Sequence, residues 1–210
     1  MLNIVIPYRD RKEHLHIFLE EFPKIVKDIN YHITIVEQFN DKPFNRAKLL
    51  NIGFNEGKDK FDYFCFHDVD MVPIEADYSF PEYPIHMATN CSQFDWKLPF
   101  NEYYGGVNLF NKEDFLKING YSNDYWGWGI EDDDLLKRVI KSGFKLNRRI
   151  GRYKSLDHKK SDPNHENRSK SLGKFYTNYD FKSDGLSNLE YKTINKLKIN
   201  EFSELLSVDF

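Results

Sequence analysis

Apolar and polar positions along the chain follow two periods that alternate with one another. Leu2 to Pro7 (LNIVIP) is a short, nearly continuous apolar run ending at proline, the pattern of a strand buried on both faces. From Arg11 to Ile29 the residues Leu15, Phe18, Leu19, Phe22, Ile25, Val26 and Ile29 fall at helical spacing, and Pro23 predicts a kink or a split. Tyr31 to Gln38 (YHITIVEQ) is β-branched and strand-like. Asn45 is placed to cap a helix through about Asn55 that buries Leu49, Leu50, Ile52 and Phe54, with Gly57 to stop it. Phe61 to His67 is a third strand, running straight into Asp68-Val69-Asp70. This order predicts an α/β fold around a mostly parallel sheet, in which ligands bind beyond the carboxyl ends of the strands.

Residues 71–101 are rich in proline and aromatics and hold little periodicity, which predicts an ordered excursion. A strand is expected from Gly106 to Asn111, a short helix from Lys112 to Ile118, and a helix from Glu131 to Ser142 with Leu135, Leu136, Val139 and Ile140 inward. Strand-like alternation returns at Glu190 to Ile194 and Leu205 to Phe210. No internal repeat or second domain boundary is visible, so residues 1–210 read as a single domain.

Composition narrows the function classes. The 210 residues carry 30 Lys+Arg against 33 Asp+Glu, a net charge of −3 that gives no global attraction to nucleic acid. Charged residues are 30% of the chain and no apolar run approaches the roughly 20 residues that span a bilayer. The start of the chain reads as a strand rather than a leader, so a cytoplasmic location is expected. Two cysteines, Cys65 and Cys91, leave room for at most one bridge. Leu135 to Phe175 holds 13 Lys/Arg and three acids, 13 − 3 = +10, and reads as a basic mobile loop suited to phosphate or to peripheral contact with an anionic membrane face.

Two acidic motifs carry candidate chemistry. Asp68 and Asp70 at a strand end offer hard oxygens to Mg²⁺ or Mn²⁺, which in turn bind a diphosphate; the alternative is a pair of turn or cap aspartates. His67 is expected to pack, because strand alternation sends it away from Asp68. Trp126-Gly127-Trp128-Gly129-Ile130-Glu131-Asp132-Asp133-Asp134 sets four acids at a helix start. One or two would suffice for the helix dipole, and four crowded together raise at least one pKa, as a general base requires. The two tryptophans offer flat faces for sugar rings, the alternative being core packing. Arg9, Arg11 and Phe44-Asn45-Arg46 are placed to surround an anionic nucleotide. His158 lies in the basic stretch, where only its relation to Asp70 in space would make it a ligand.

The segments RDRKEHL, FNRAKLLNIGF, HDVDMVP, YYGGVNLF, INGYSNDYWGWGIEDDD and RYKSLDH occur in an order that resembles the β-1,4-galactosyltransferases, glycosyltransferase family 7, from about Ile4 to about Asp184. The resemblance implies a GT-A domain that binds a UDP-sugar and Mn²⁺ and inverts the anomeric centre of galactose on transfer to a glycan hydroxyl. By matched positions, Asp132 is the implied catalytic base and Asp70 and His158 the implied metal ligands. Pro7, Arg9, Arg11, Phe44, Arg46, Asp68, Val69, Gly106, Trp128 and Asp133 fall on donor-binding positions. Tyr103 falls where an aromatic crowds the C2 substituent of the donor sugar and favours galactose. Tyr104, Trp128, Glu131 and Asp132 fall on acceptor-binding ones.

Ser155 stands where many members carry a methionine ligand, which opens the site to Mg²⁺. A bacterial-type enzyme of surface-polysaccharide assembly, acting on an oligosaccharide or lipid-linked glycan, is the implied setting. UDP-GalNAc or UDP-glucose as donor, a metal-dependent phosphohydrolase, and a non-catalytic sugar-binding module are the competing expectations.

Overall fold

The computed structural model describes residues 1–157, 165–177 and 179–210. The chain runs β1 (Leu2–Tyr8), α1 (Lys12–Ile25), β2 (Tyr31–Gln38), α2 (Arg46–Gly57), β3 (Tyr63–His67), β4 (Met71–Ala76), β5 (Ile85–His86), β6 (Asn90–Cys91), β7 (Val107–Asn111), α3 (Lys112–Lys117), α4 (Glu131–Lys141), β8 (Asn147–Arg148), β9 (Gly151–Ser155), α5 (His165–Tyr176), β10 (Lys192–Lys198) and β11 (Ser203–Asp209). An eight-stranded sheet has the order β10-β11-β2-β1-β3-β7-β5-β8, and β4-β9-β6 form a smaller one. Four of the seven pairings in the large sheet are parallel: β1 with β2, β1 with β3, β11 with β2, and β5 with β8.

Every residue of β1 is buried, because the strand lies between two parallel neighbours and is covered on both faces. Ile4 and Ile6 point into one core layer with Phe18 and Phe22 of α1, Tyr78 and Tyr153. Val5 points into the other with Leu49 and Phe54 of α2, Phe66, Phe115 of α3, and Leu135 and Val139 of α4. Helix α2 lies so close to β1 that a Cβ on Gly53 would come within 2.2 Å of Val5 Cγ1. His67 is buried among the rings of Phe18, Phe22, Tyr78 and Tyr153, away from the strand-end carboxylates.

Three expectations change. Helix α1 continues unsplit through Pro23 and ends at Ile25, because the proline sits in the last turn, where few hydrogen bonds remain to be lost. The basic stretch is not one mobile loop: its described part contains the end of α4, β8, β9 and α5. Several of its cations are engaged, with Arg138 1% exposed, Arg149 bonded to Asp77 and Ser79, Arg152 over the Trp96 ring, and Lys174 paired with Asp124 and Asp184. Cys65 and Cys91 are both free and buried. Among the described residues no helix is long and apolar enough to cross a membrane.

Candidate functional site

Three element ends converge at the carboxyl edge of β1 and β3. Asn45 caps α2 by accepting from Lys48 N at 2.9 Å, while its own amide donates to Asn123 O at 2.7 Å. The cap sets Arg46 as the first helical residue, pointing at the end of β3 and the start of α4. Its Nε donates to Asp68 Oδ1 at 2.5 Å and its Nη1 to Asp132 Oδ1 at 2.9 Å, with Glu131 Oε1 at 3.9 Å. Burial works against this charge, and Asp132 and Asp68 outweigh it, so the guanidinium is held well above its ordinary pKa.

The four acids of α4 divide among different partners. Burial pushes Glu131 up to about 7 and Asp132 up to about 6; Arg46 opposes both shifts, while neighbouring carboxylates add to them. Crowding is therefore the secondary cause, where the sequence suggested it as the main one. Asp133 is raised by burial and lowered by Arg168. Asp134 is withdrawn into the core, where Arg138 Nε donates to it at 2.8 Å and the Tyr179 hydroxyl donates at 2.5 Å.

The loop before α4 turns on three left-handed residues, Gly127 (φ 84°), Gly129 (φ 97°) and Ile130 (φ 80°). For a β-branched residue such as Ile130 this backbone costs about 1–2 kcal/mol, and it swings the first turn of α4 toward Arg46. Gly127 N donates to Phe44 O at 2.8 Å, which ties the loop to the start of α2. Trp128 is 65% exposed with the Arg168 guanidinium 5.2 Å above its ring, whereas Trp126 is half-buried and packs against Phe210. Beside Asp133 a groove of about 400 Å³ runs between α4 and Phe175.

The remaining predicted residues fall in three groups. Tyr103 lies over the glycine pair: a Cβ on Gly105 would sit 2.9 Å from its hydroxyl and 3.0 Å from Asp132 Oδ2. Gly106 O accepts from Asp68 N at 3.0 Å. Tyr104 is 1% exposed and stacked on His86, so its ring belongs to the core and presents nothing to an acceptor. Pro7 and Val69 are buried at the strand ends. Arg9 donates to Asn40 O at 3.2 Å and to Lys42 O at 2.7 Å and stacks over Phe44, and Arg11 is the N-cap of α1, outside the Arg46 cluster.

Asp70 closes the turn after β3, where its carbonyl accepts from Leu156 N at 2.8 Å, so the chain leaving β9 passes beside it. Ser155, across from Met71 in the β4–β9 pair, donates to Met71 Sδ at 3.6 Å. His158 lies outside the described residues, and among those described no three metal-ligating side chains converge. A carboxylate at this turn suits a hard divalent cation.

Sequence patterns do not signal the Arg46 hub as such, nor Arg148 and His86, which bond behind Tyr103. An isolated histidine and one arginine in a basic stretch carry no periodicity or motif.

Comparison with known proteins fits this geometry. Residues 1–81 match the family segment described as the N-terminal region of glycosyl transferase group 7. Residues 85–159 match the one described as the N-terminal domain of galactosyltransferase. Mouse β-1,4-galactosyltransferase 1 is 37% identical over 201 residues, covering 91% of this chain and 50% of the mouse chain. The chain thus spans about half the length of that relative. The catalytic domain of Drosophila β-1,4-galactosyltransferase 7, solved with xylobiose, superposes with a TM-score of 0.84 at 26% identity, covering 100% of this chain and 93% of that one. A mutant of the same Drosophila protein, solved with manganese, UDP-Gal and xylobiose, gives 0.82. With its GT-A fold and these matches along most of its length, the chain belongs to the β-1,4-galactosyltransferases, glycosyltransferase family 7.

Proposed function

We propose that the protein transfers galactose from UDP-galactose to a hydroxyl of a glycan acceptor, with inversion at the anomeric carbon and formation of a β-1,4 linkage. The observation that carries this reading is Asp132, a carboxylate raised to about 6 at the helix start, 2.9 Å from Arg46 and beside the Tyr103 hydroxyl. A base of that strength is ionised at neutral pH and still a good proton acceptor. Asp132 takes the proton of the acceptor hydroxyl as its oxygen bonds to the sugar C1 from the face opposite the diphosphate. The bond from C1 to the phosphate oxygen breaks, and UDP leaves with the electron pair.

Arg46 fixes Asp132 and Asp68 in place before substrate arrives, so little reorganisation accompanies the reaction. Glu131 and the exposed Trp128 ring hold the acceptor sugar, and Tyr103 crowds the C2 position of the donor. Asp133 and Gly106 line the donor side. Mn²⁺, present in the Drosophila neighbour, would be held by Asp70 and His158 and offset the charge on the departing diphosphate. The acceptor is an oligosaccharide or lipid-linked glycan, a reading supported by the xylobiose in the Drosophila neighbour, and a role in surface-polysaccharide assembly is part of the same proposal.

The test is UDP release from UDP-galactose with Mn²⁺, with and without β-linked GlcNAc, glucose, xylose and galactose acceptors. Release that rises with one acceptor and falls by about 10²-fold or more in Asp132→Asn, with UDP-sugar binding retained, supports the reading. Release independent of every acceptor, or a variant that no longer binds the donor, overturns it.

A further inference from the structure

Tyr103 owes its position to two polar groups behind it, the buried His86 and the half-buried Arg148. Residues 101–105 belong to no strand, so their carbonyls need partners from elsewhere. Arg148 supplies them: Nη1 donates to Tyr103 O at 2.8 Å and Nη2 to Asn101 O at 2.5 Å. The same Nη1 meets His86 Nδ1. A guanidinium only donates, so Nδ1 is the acceptor and the ring proton sits on Nε2, which donates to Gly105 O at 2.9 Å.

His86 is fully buried and stays neutral, its pKa pushed down to about 3 mainly by burial. Its ring meets the Tyr103 ring edge-on at 5.3 Å and 89°. The parallel pairing of β5 with β8 sets His86 directly beside Arg148, so sheet register and loop position are joined. On the other side Phe94 and Phe100 close on Tyr103 edge-on at 5.5 and 5.6 Å.

We propose that Arg148 and His86 are positioning residues for donor choice: they fasten the carbonyls of Asn101, Tyr103 and Gly105 so that the Tyr103 phenol stands over Gly105 and Gly106 and narrows the space for a substituent at the sugar C2. The inference rests on the reading of Tyr103 given above. A phenol held on a rigid loop rejects an N-acetyl group by steric contact. The same phenol on a loose loop yields, because a shift of about 1 Å is enough to change a close contact into a tolerated one.

The readout is the ratio of kcat/KM for UDP-N-acetylgalactosamine to that for UDP-galactose, with UDP affinity and thermal melting measured alongside. Tyr103→Leu, the reference, raises the ratio by about tenfold or more, the scale expected when a steric block is removed from a pocket. Arg148→Ala raises it by about threefold or more with UDP affinity within about twofold of wild type, and Arg148→Lys, which can keep one carbonyl, falls between. An unchanged ratio in Arg148→Ala beside a raised one in Tyr103→Leu overturns the proposal and leaves Arg148 a structural residue. An unchanged ratio in Tyr103→Leu overturns the underlying specificity reading instead, and this inference with it. If Arg148→Ala does not fold, Arg148→Lys and His86→Gln are judged by the same comparison.

Discussion

Replacing Arg46 with methionine keeps much of the side chain's volume, removes its charge, and leaves three carboxylates facing one another. The guanidinium stands 2.5 Å from Asp68, 2.9 Å from Asp132 and 3.9 Å from Glu131, and the thioether can pair with none of them. Removing one partner of a buried ion pair costs about 3–5 kcal/mol. The Asp68 and Asp132 side chains are 28% and 26% exposed, so water recovers part of that, and about 2–3 kcal/mol is expected at pH 8. The penalty depends on pH with a defined sign. Asp132 at about 6 and Glu131 at about 7 are already raised, chiefly by burial, and Arg46 is what restrains them. Without it both rise further. Their ionised forms are then the unfavourable ones, so stability is retained below those values and lost as pH rises through them. At pH 5 Asp132, Glu131 and Asp68, the last itself raised to about 6 chiefly by burial, are largely protonated, little charge is stranded, and the cost falls below about 1 kcal/mol. Urea denaturation of wild type and Arg46→Met without metal at pH 5 and pH 8 measures the difference. A penalty equal at the two pH values, or larger at pH 5, refutes the argument.

Trp128→Ala removes a ring that is 65% exposed, so stability changes by less than about 0.5 kcal/mol while KM for the acceptor rises and that for the donor changes less; initial rates with each substrate varied in turn separate the two. Arg138→Met breaks the buried cluster of Asp134, Asp184 and Tyr179, and removes the donor to the Gly120 and Asp184 carbonyls. A loss of about 3–5 kcal/mol is expected in denaturant titration, with Asp134→Asn less severe because the Arg138 guanidinium keeps Asp184 and the Gly120 and Asp184 carbonyls as partners.

Local patterns make the fold legible where burial alone decides structure. The unbroken apolar run of β1, the Asn45 cap and the helical spacing of Leu49, Ile52 and Phe54 each carry their own signal within a few residues. The candidate site is legible as two acidic motifs and one Phe-Asn-Arg triplet, and their meeting at Arg46 is not, since it joins residues 22 and 86 positions apart. The pair Tyr103-Tyr104 points to the acceptor and donor together in sequence because a motif does not state which of two adjacent rings faces inward. The charge sum of the basic stretch cannot register that Arg138 lies in the core or that Arg149 and Lys174 have fixed partners. Pro23 has the chemistry of a helix breaker, and only the structure shows that the helix has two residues left to run.

The two buried thiols make the fold indifferent to the redox potential around it. Burial raises the Cys65 thiol well above its ordinary value and the Cys91 thiol up to about 12, so neither holds an appreciable share of thiolate near neutral pH. Thiolate is the form that oxidants, alkylating agents and mixed disulfides attack. Neither a reducing nor an oxidising medium therefore has a bond to break or to make in this structure, and its stability should stay the same when glutathione is exchanged for its disulfide.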